Sequence, residues 1–234
     1  MKLLLTLALF VSASFSLGFP AYYYEMTDAK MQKKEFIKIL KPLIEKANEV
    51  VMYERTFIEN FFSNALSNGF REFSKEDIEN LIKISKKYKI KNLFQQKEYL
   101  KRVDIVPVSL GLTQGAIESG WGKSRFVREA NNIFGHWTWG EHGLVPDERE
   151  EGKNHKIRIF SSLQASVNAY ILNLNRNYAY SSFRELRYKL KKNGKTFSGK
   201  EAATTMINYS ELKEAYIKML QRMMKNNNLL RYDK

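Results

Sequence analysis

Cysteine is missing from all 234 residues of this chain. Its absence excludes disulfides, thiolate nucleophiles, Cys-ligated zinc and iron–sulfur clusters together. Histidine is nearly as scarce, with three scattered residues at positions 136, 142 and 155, too few for a His-only metal site. Proline and glycine, at 4 and 12 residues, exclude a collagen-like chain, and a 44% hydrophobic share with 13% aromatics is enough to build a core. Beyond the first residues no run is long and apolar enough to span a bilayer. Chemistry, where there is any, rests on carboxylates, hydroxyls and amides, and no metal or organic cofactor is implied.

Acidic residues are also in short supply: 25 Asp and Glu face 39 Lys and Arg, a formal net charge of +14. Such an excess suits a polyanionic partner, whether nucleic acid, anionic lipid or a carboxylate-bearing wall polymer, and it equally keeps Lys-rich helices soluble. The N-terminus separates these options. Met1 and Lys2, an apolar run from Leu3 to Val11 and small residues from Ser12 to Ser16 have the layout of a secretory signal peptide over residues 1–18, either cleaved after Ser16 or Gly18 or kept as an uncleaved anchor. An exported protein, periplasmic or cell-wall associated, does not meet nucleic acid and has no stable membrane span once the signal is removed.

Apolar residues recur at helical spacing from Asp28 to about Gly69, through Phe36, Leu40, Leu43, Ala47, Val50 and Val51 to Phe57, Ile58, Phe61 and Phe62. One long helix or two are expected, with Pro42 as a kink or break. Ser74 and Asp77 have capping-box spacing ahead of another helix, and Lys86 to Lys91 reads as a solvated loop. Pro107 opens a helix that ends at Ser119-Gly120. Ile133 to Gly140 and Lys156 to Phe160 alternate as strands of a small hairpin with a long loop. Ser161, Ser182 and Ser198, each followed three residues later by Gln or Glu, mark further helix starts, and a last helix runs from about Ser210 to Asn226. The expected fold class is α+β, predominantly α.

Glu118 ends an otherwise apolar, small-residue helix, just before Gly120-Trp121-Gly122. A helix C-terminus disfavours a carboxylate, and Ile117, Trp121 and Phe134 would strip water from it. Both effects raise its pKa, as a general acid requires. The plainer alternative is a Glu118 bonded to a backbone amide or to Lys123 or Arg125. Downstream, Asn131-Asn132-Ile133-Phe134-Gly135-His136-Trp137-Thr138-Trp139 joins amides to flat aromatic faces, a combination suited to sugar rings and also to a turn over a core.

The pattern Gln114-x-x-x-Glu118-Ser119-x-Trp121-Gly122-x-Ser124, followed by Asn131-Asn132-x-Phe134-Gly135, resembles the signature of the bacterial glucosaminidases, glycoside hydrolase family 73. From about Pro20 to Asn228 the chain is similar to that family's Bax-type members, through Gly143-Leu144-Val145-Pro146, Ser166 to Asn175 with Ala179-Tyr180, and Asn208-Tyr209-Ser210-Glu211. The resemblance implies a lysozyme-like catalytic domain over residues 101–234 with a small β-hairpin lobe; the N-terminal helical extension over 19–100 either packs on that unit or docks a partner. It also implies hydrolysis of the β-1,4 bond after N-acetylglucosamine in peptidoglycan. In that scheme Glu118 is the general acid, Tyr209 the active-site tyrosine, and Ser119, Trp121, Asn132, Phe134, Gly135, Trp137 and Tyr216 line or shape the glycan cleft.

The resemblance does not single out a second carboxylate. The hairpin lobe offers Glu148 and Glu150 as candidates beside other acids of the same loop. Without one, the substrate's own N-acetyl group supplies the nucleophile. An acid with a tyrosine also permits lytic transglycosylase chemistry, and a noncatalytic wall-binding module is the remaining alternative.

Overall fold

The computed structural model describes residues 17–146 and 154–233. The expected signal peptide, apart from Leu17 and Gly18, lies outside the described residues, as do Glu148 and Glu150. The body is helical, with one two-stranded sheet, which is the α+β class expected from the sequence. Among the described residues no helix is long and apolar enough to cross a membrane.

A short helix α1 (Ala21–Glu25) leads into α2 (Ala29–Ser67), whose start is fixed by the Asp28 carboxylate accepting from the amides of Lys30 and Met31. Phe36, Leu40, Ile44, Val51, Ile58 and Phe62 form its buried stripe. Pro42 does not break it. Pro42 and Lys38, whose carbonyl the proline leaves without an N–H partner, are both exposed residues, on the side of the helix where solvent can take the place of the missing donor.

Helix α3 (Lys75–Tyr88) is capped by Ser74 Oγ, which accepts from the Asp77 amide. The segment Lys86 to Lys91 is not the loop its charge suggests. Lys86 to Tyr88 form the last helical turn, Lys89 caps it at φ 55°, and the Ile90 amide returns to the Ser85 carbonyl at 2.8 Å. Burial of Tyr88 and Ile90 outweighs the solvation preference of the lysines. Helix α4 (Gln96–Arg102), not expected as a separate helix from the sequence, follows.

Helix α5 (Val108–Glu118) runs through the middle of the molecule and is buried from Val108 to Ala116. Gly111 and Gly115 let α2 approach it. A Cβ at Gly111 would lie 2.9 Å from Ile44 Cδ1, and one at Gly115 would lie 2.8 Å from Leu40 Cδ2 and 3.2 Å from Ile133 Cγ2. At its N-terminal end the Asp233 carboxylate accepts from the Ser109 amide and hydroxyl and from the Gly199 amide. The loop leading into α5 is tied down by Arg187, whose guanidinium donates to the carbonyls of Lys101, Asp104 and Ile105 and to Asn175 Oδ1.

After α6 (Arg125–Ala130), the lobe consists of β1 (Trp137–Thr138) and β2 (Lys156–Ile157), antiparallel with Trp137 opposite Ile157. The strands are shorter than the alternation predicts, and Ile157 also bridges Leu144. Helix α7 (Leu163–Arg176) packs on α2, and its cap is Ser162 rather than Ser161, accepting from the Ala165 amide. Helix α8 (Ser181–Lys192) starts without a serine cap, because the preceding turn at Tyr178–Tyr180 runs straight into it. Ser198 and Glu201 form a complete capping box on α9 (Gly199–Ala203). Helix α10 (Glu214–Asn226) begins four residues later than expected, after a turn at Lys213 with φ 48°.

Gly115→Val is expected to force α2 and α5 apart at a cost of about 1–3 kcal/mol. The urea midpoint should fall with an unchanged denaturant slope, and turnover should fall with it because α5 carries Glu118.

Candidate active site

Helix α5 stops where Gly120, Trp121 and Gly122 take left-handed backbone angles, φ 55°, 57° and 79°. Ser119 Oγ closes this turn, donating to the Gly115 carbonyl at 2.5 Å and accepting from the Gly122 amide at 2.7 Å. The N-terminal segment clamps it from outside. The Phe19 ring fills the space a Cβ on Gly122 would claim, the Tyr23 hydroxyl donates to the Trp121 carbonyl, and the Gly18 amide donates to Asn131 Oδ1 at 2.8 Å.

Glu118 is half-buried at the end of this helix. Its Oε1 accepts a hydrogen bond from the Tyr216 hydroxyl at 2.7 Å. That hydroxyl accepts from Gln114 Nε2, and Gln114 Oε1 accepts from the Tyr170 hydroxyl at 2.6 Å. Phe134 stacks on Tyr170 at 3.9 Å, and Tyr209 stacks parallel to Tyr216 at 5.6 Å. Neither Lys123 nor Arg125 pairs with Glu118. Burial raises its pKa above the ordinary carboxyl value, and the Tyr216 hydrogen bond offsets only part of that rise. Burial pushes Tyr180 up to about 12 and Tyr209 well above its usual range, so both phenols are neutral donors. His136 is pushed down to about 4 by burial and by Arg158, so it too is neutral.

A cleft of about 580 Å³ opens in front of Glu118, lined by Phe134, Gly135, Trp137, Tyr180 and Tyr209 among others. Gly135, at φ 66°, stands beside the second carboxyl oxygen: a Cβ there would lie 3.9 Å from Oε2. Trp137 and Trp139 stand at the mouth, 54% and 74% exposed, and His155 stacks on Trp137 at 4.4 Å. Among the described lining residues Glu118 is the one carboxylate.

The structure therefore brings Glu118, Phe134, Gly135, Trp137 and Tyr209 together around one cleft, with Tyr216 behind the carboxyl. It does not place Ser119, Trp121 or Asn132 on the cleft wall. Ser119 is spent on its turn, and Trp121 packs edge-on against Phe36 at 5.3 Å under Lys33. Asn132 donates to the carbonyls of His136 and Arg158 and accepts from the His136 amide, fixing the bend at Gly135. From the sequence, Tyr170, Tyr180 and Asn173 have no site role beyond the stretches that carry the family resemblance, and Trp139 is named only within the aromatic cluster. Tyr180 belongs to the Ala179-Tyr180 pair already noted, whereas Tyr170 is indistinguishable from a core aromatic until its hydroxyl partner is known.

A family profile described as Glucosaminidase, mannosyl-glycoprotein endo-beta-N-acetylglucosaminidase, matches residues 94–229. The chain belongs to this family. It is a glycoside hydrolase of the endo-β-N-acetylglucosaminidase type, and Glu118 with its cleft lies inside the matched region. Protein bax of Escherichia coli (strain K12) is 32% identical over 206 residues, 85% of this chain and 71% of that protein. Peptidoglycan hydrolase FlgJ of Salmonella typhimurium is 32% identical over 90 residues, 33% of this chain and 28% of that protein. Among solved structures, the catalytic domain of the autolysin Auto from Listeria monocytogenes aligns with a TM-score of 0.41 at 20% identity, over 77% of this chain and 88% of that one.

Tyr216→Phe removes the one hydrogen bond that favours the ionised form of Glu118. The carboxyl should then hold its proton to higher pH, so the alkaline limb of the glucosaminidase pH–rate profile is expected to move upward while the plateau falls. An unmoved limb would show that Tyr216 does not tune Glu118.

Proposed function

We propose that this glucosaminidase acts on peptidoglycan, cleaving the β-1,4 bond after N-acetylglucosamine, with Glu118 as the general acid. The observation that carries the proposal is the carboxyl itself: half-buried, raised in pKa, unpaired with any cation, and turned toward a sugar-sized cleft. At neutral pH such a group retains a larger protonated fraction than an ordinary glutamate and can deliver the proton to the departing sugar oxygen. Trp137 and Trp139 offer flat faces to the apolar sides of sugar rings. The neutral Tyr209 hydroxyl is a donor placed to hold the attacking water or the N-acetyl carbonyl. The likeness to a relative named a peptidoglycan hydrolase supports the choice of polymer.

In this reading residues 101–234 are the catalytic unit, and the helices of 19–100 buttress it, through α2 against α5 and through Phe19 and Tyr23 against the turn after Glu118. The enzyme works where the polymer is, outside the cytoplasmic membrane, which agrees with a cleaved signal over residues 1–18.

Glu118→Gln is expected to lose at least about a hundredfold in rate on purified peptidoglycan while still sedimenting with it. Mass spectrometry of the wild-type digest should find reducing N-acetylglucosamine ends. Anhydromuramic ends would overturn hydrolysis in favour of a lytic transglycosylase. A wild type that binds the polymer and releases nothing would leave a wall-binding module.

A further inference from the structure

A second concavity, of about 490 Å³, lies between α2, α7 and the β-lobe. His136 and Asn173 line both it and the catalytic cleft, so the two adjoin. Its polar lining is cationic and amide: Lys87, His136, Arg158, Asn168, Asn173 and Arg176, with no Asp or Glu among the described lining residues. Lys87 is already held by Glu54 at 2.7 Å. Arg158 and Arg176 are not: neither guanidinium has an ion pair or hydrogen bond to a described residue, and Arg158 merely lies over the Phe160 ring at 4.7 Å. Arg55 and Arg102, by contrast, pair with Glu59 and Glu98. His136 contributes no charge, being held neutral between the two cavities.

Two guanidiniums without an ion pair, beside amide donors and with no carboxylate among the described lining residues, match the chemistry of a carboxylate ligand. The neighbouring cleft says where that ligand comes from. A glycan threaded past Glu118 carries its acidic side arms on alternate sugars, and an arm next to the scissile bond can turn into the adjoining pocket. We propose that Arg158 and Arg176 form a subsite for a carboxylate borne on the peptide side arm of the glycan strand, so that the enzyme reads the substituent as well as the sugar. This rests on the peptidoglycan reading above and adds a specificity determinant to it.

A thermodynamic cycle tests it by binding alone. In the Glu118→Gln background, the dissociation constant of a soluble disaccharide-peptide fragment is measured against the same fragment with its carboxylates amidated, with and without Arg158→Gln and Arg176→Gln. Amidation and the double substitution are each expected to weaken binding about tenfold or more, and together to cost no more than either alone. Arg158→Lys with Arg176→Lys should restore much of the loss, and the preference for the acidic fragment should shrink as salt rises. Independent, additive losses would overturn the subsite, as would amidation without effect. Failure of the wild type to cleave peptidoglycan would instead sink the functional proposal, a separate outcome because this cycle uses no turnover.

Discussion

Helix α2 meets α5 where Gly111 and Gly115 carry no side chain, and Leu40 and Ile44 occupy the space those side chains would have taken. The contact draws α5 into the core, buried along nearly its whole length, with its last residue at a boundary between protein and solvent. Glu118 is desolvated for that reason. A looser approach would leave the same residue on the surface, with an ordinary carboxyl pKa. The N-terminal helices therefore help set the environment of Glu118, although the family match starts only at residue 94.

The surroundings of Glu118 are neutral. Its support is a relay of hydroxyl and amide groups, Tyr216, Gln114 and Tyr170, backed by stacked rings. A lysine or arginine in that position would have held the carboxyl ionised. The molecule does use buried charge elsewhere: burial alone would raise the Asp104 pKa, yet Arg187, Lys191 and Arg55 hold it below the usual carboxylate range. That cluster anchors the loop entering α5, some distance along the chain from the acid at its far end. Ion pairing is kept for the scaffold, and Glu118 is left without a cation beside it.

Much of this was legible in the sequence, and the parts that were not share a cause. Capping serines at 74 and 198, the helix opened by Pro107 and the stripe of α2 are local signals, and local hydrogen bonds set them. Glu118 was legible because a glutamate before Gly-Trp-Gly makes little sense as packing. Pro42 misled because its effect depends on which face of the helix meets water, and Lys86 to Lys91 misled because the burial of Tyr88 is a tertiary fact. Ser119, Trp121 and Asn132 were read as cleft residues since they sit in the motif, yet the motif also records how the turn is built. Arg158 and Arg176, 18 residues apart, share a pocket only after the lobe folds against α7.

The helix bearing Glu118 is gripped at one end by residues 18 to 23 and at the other by the Asp233 carboxylate. The two grips come from parts of the chain made more than 200 residues apart. A ribosome that has produced the entire family region has still not supplied the second grip. Assembly of the site is thus coupled to synthesis as far as residue 233, and a product that stops before it would retain every cleft residue yet hold Glu118 on a helix with a frayed start.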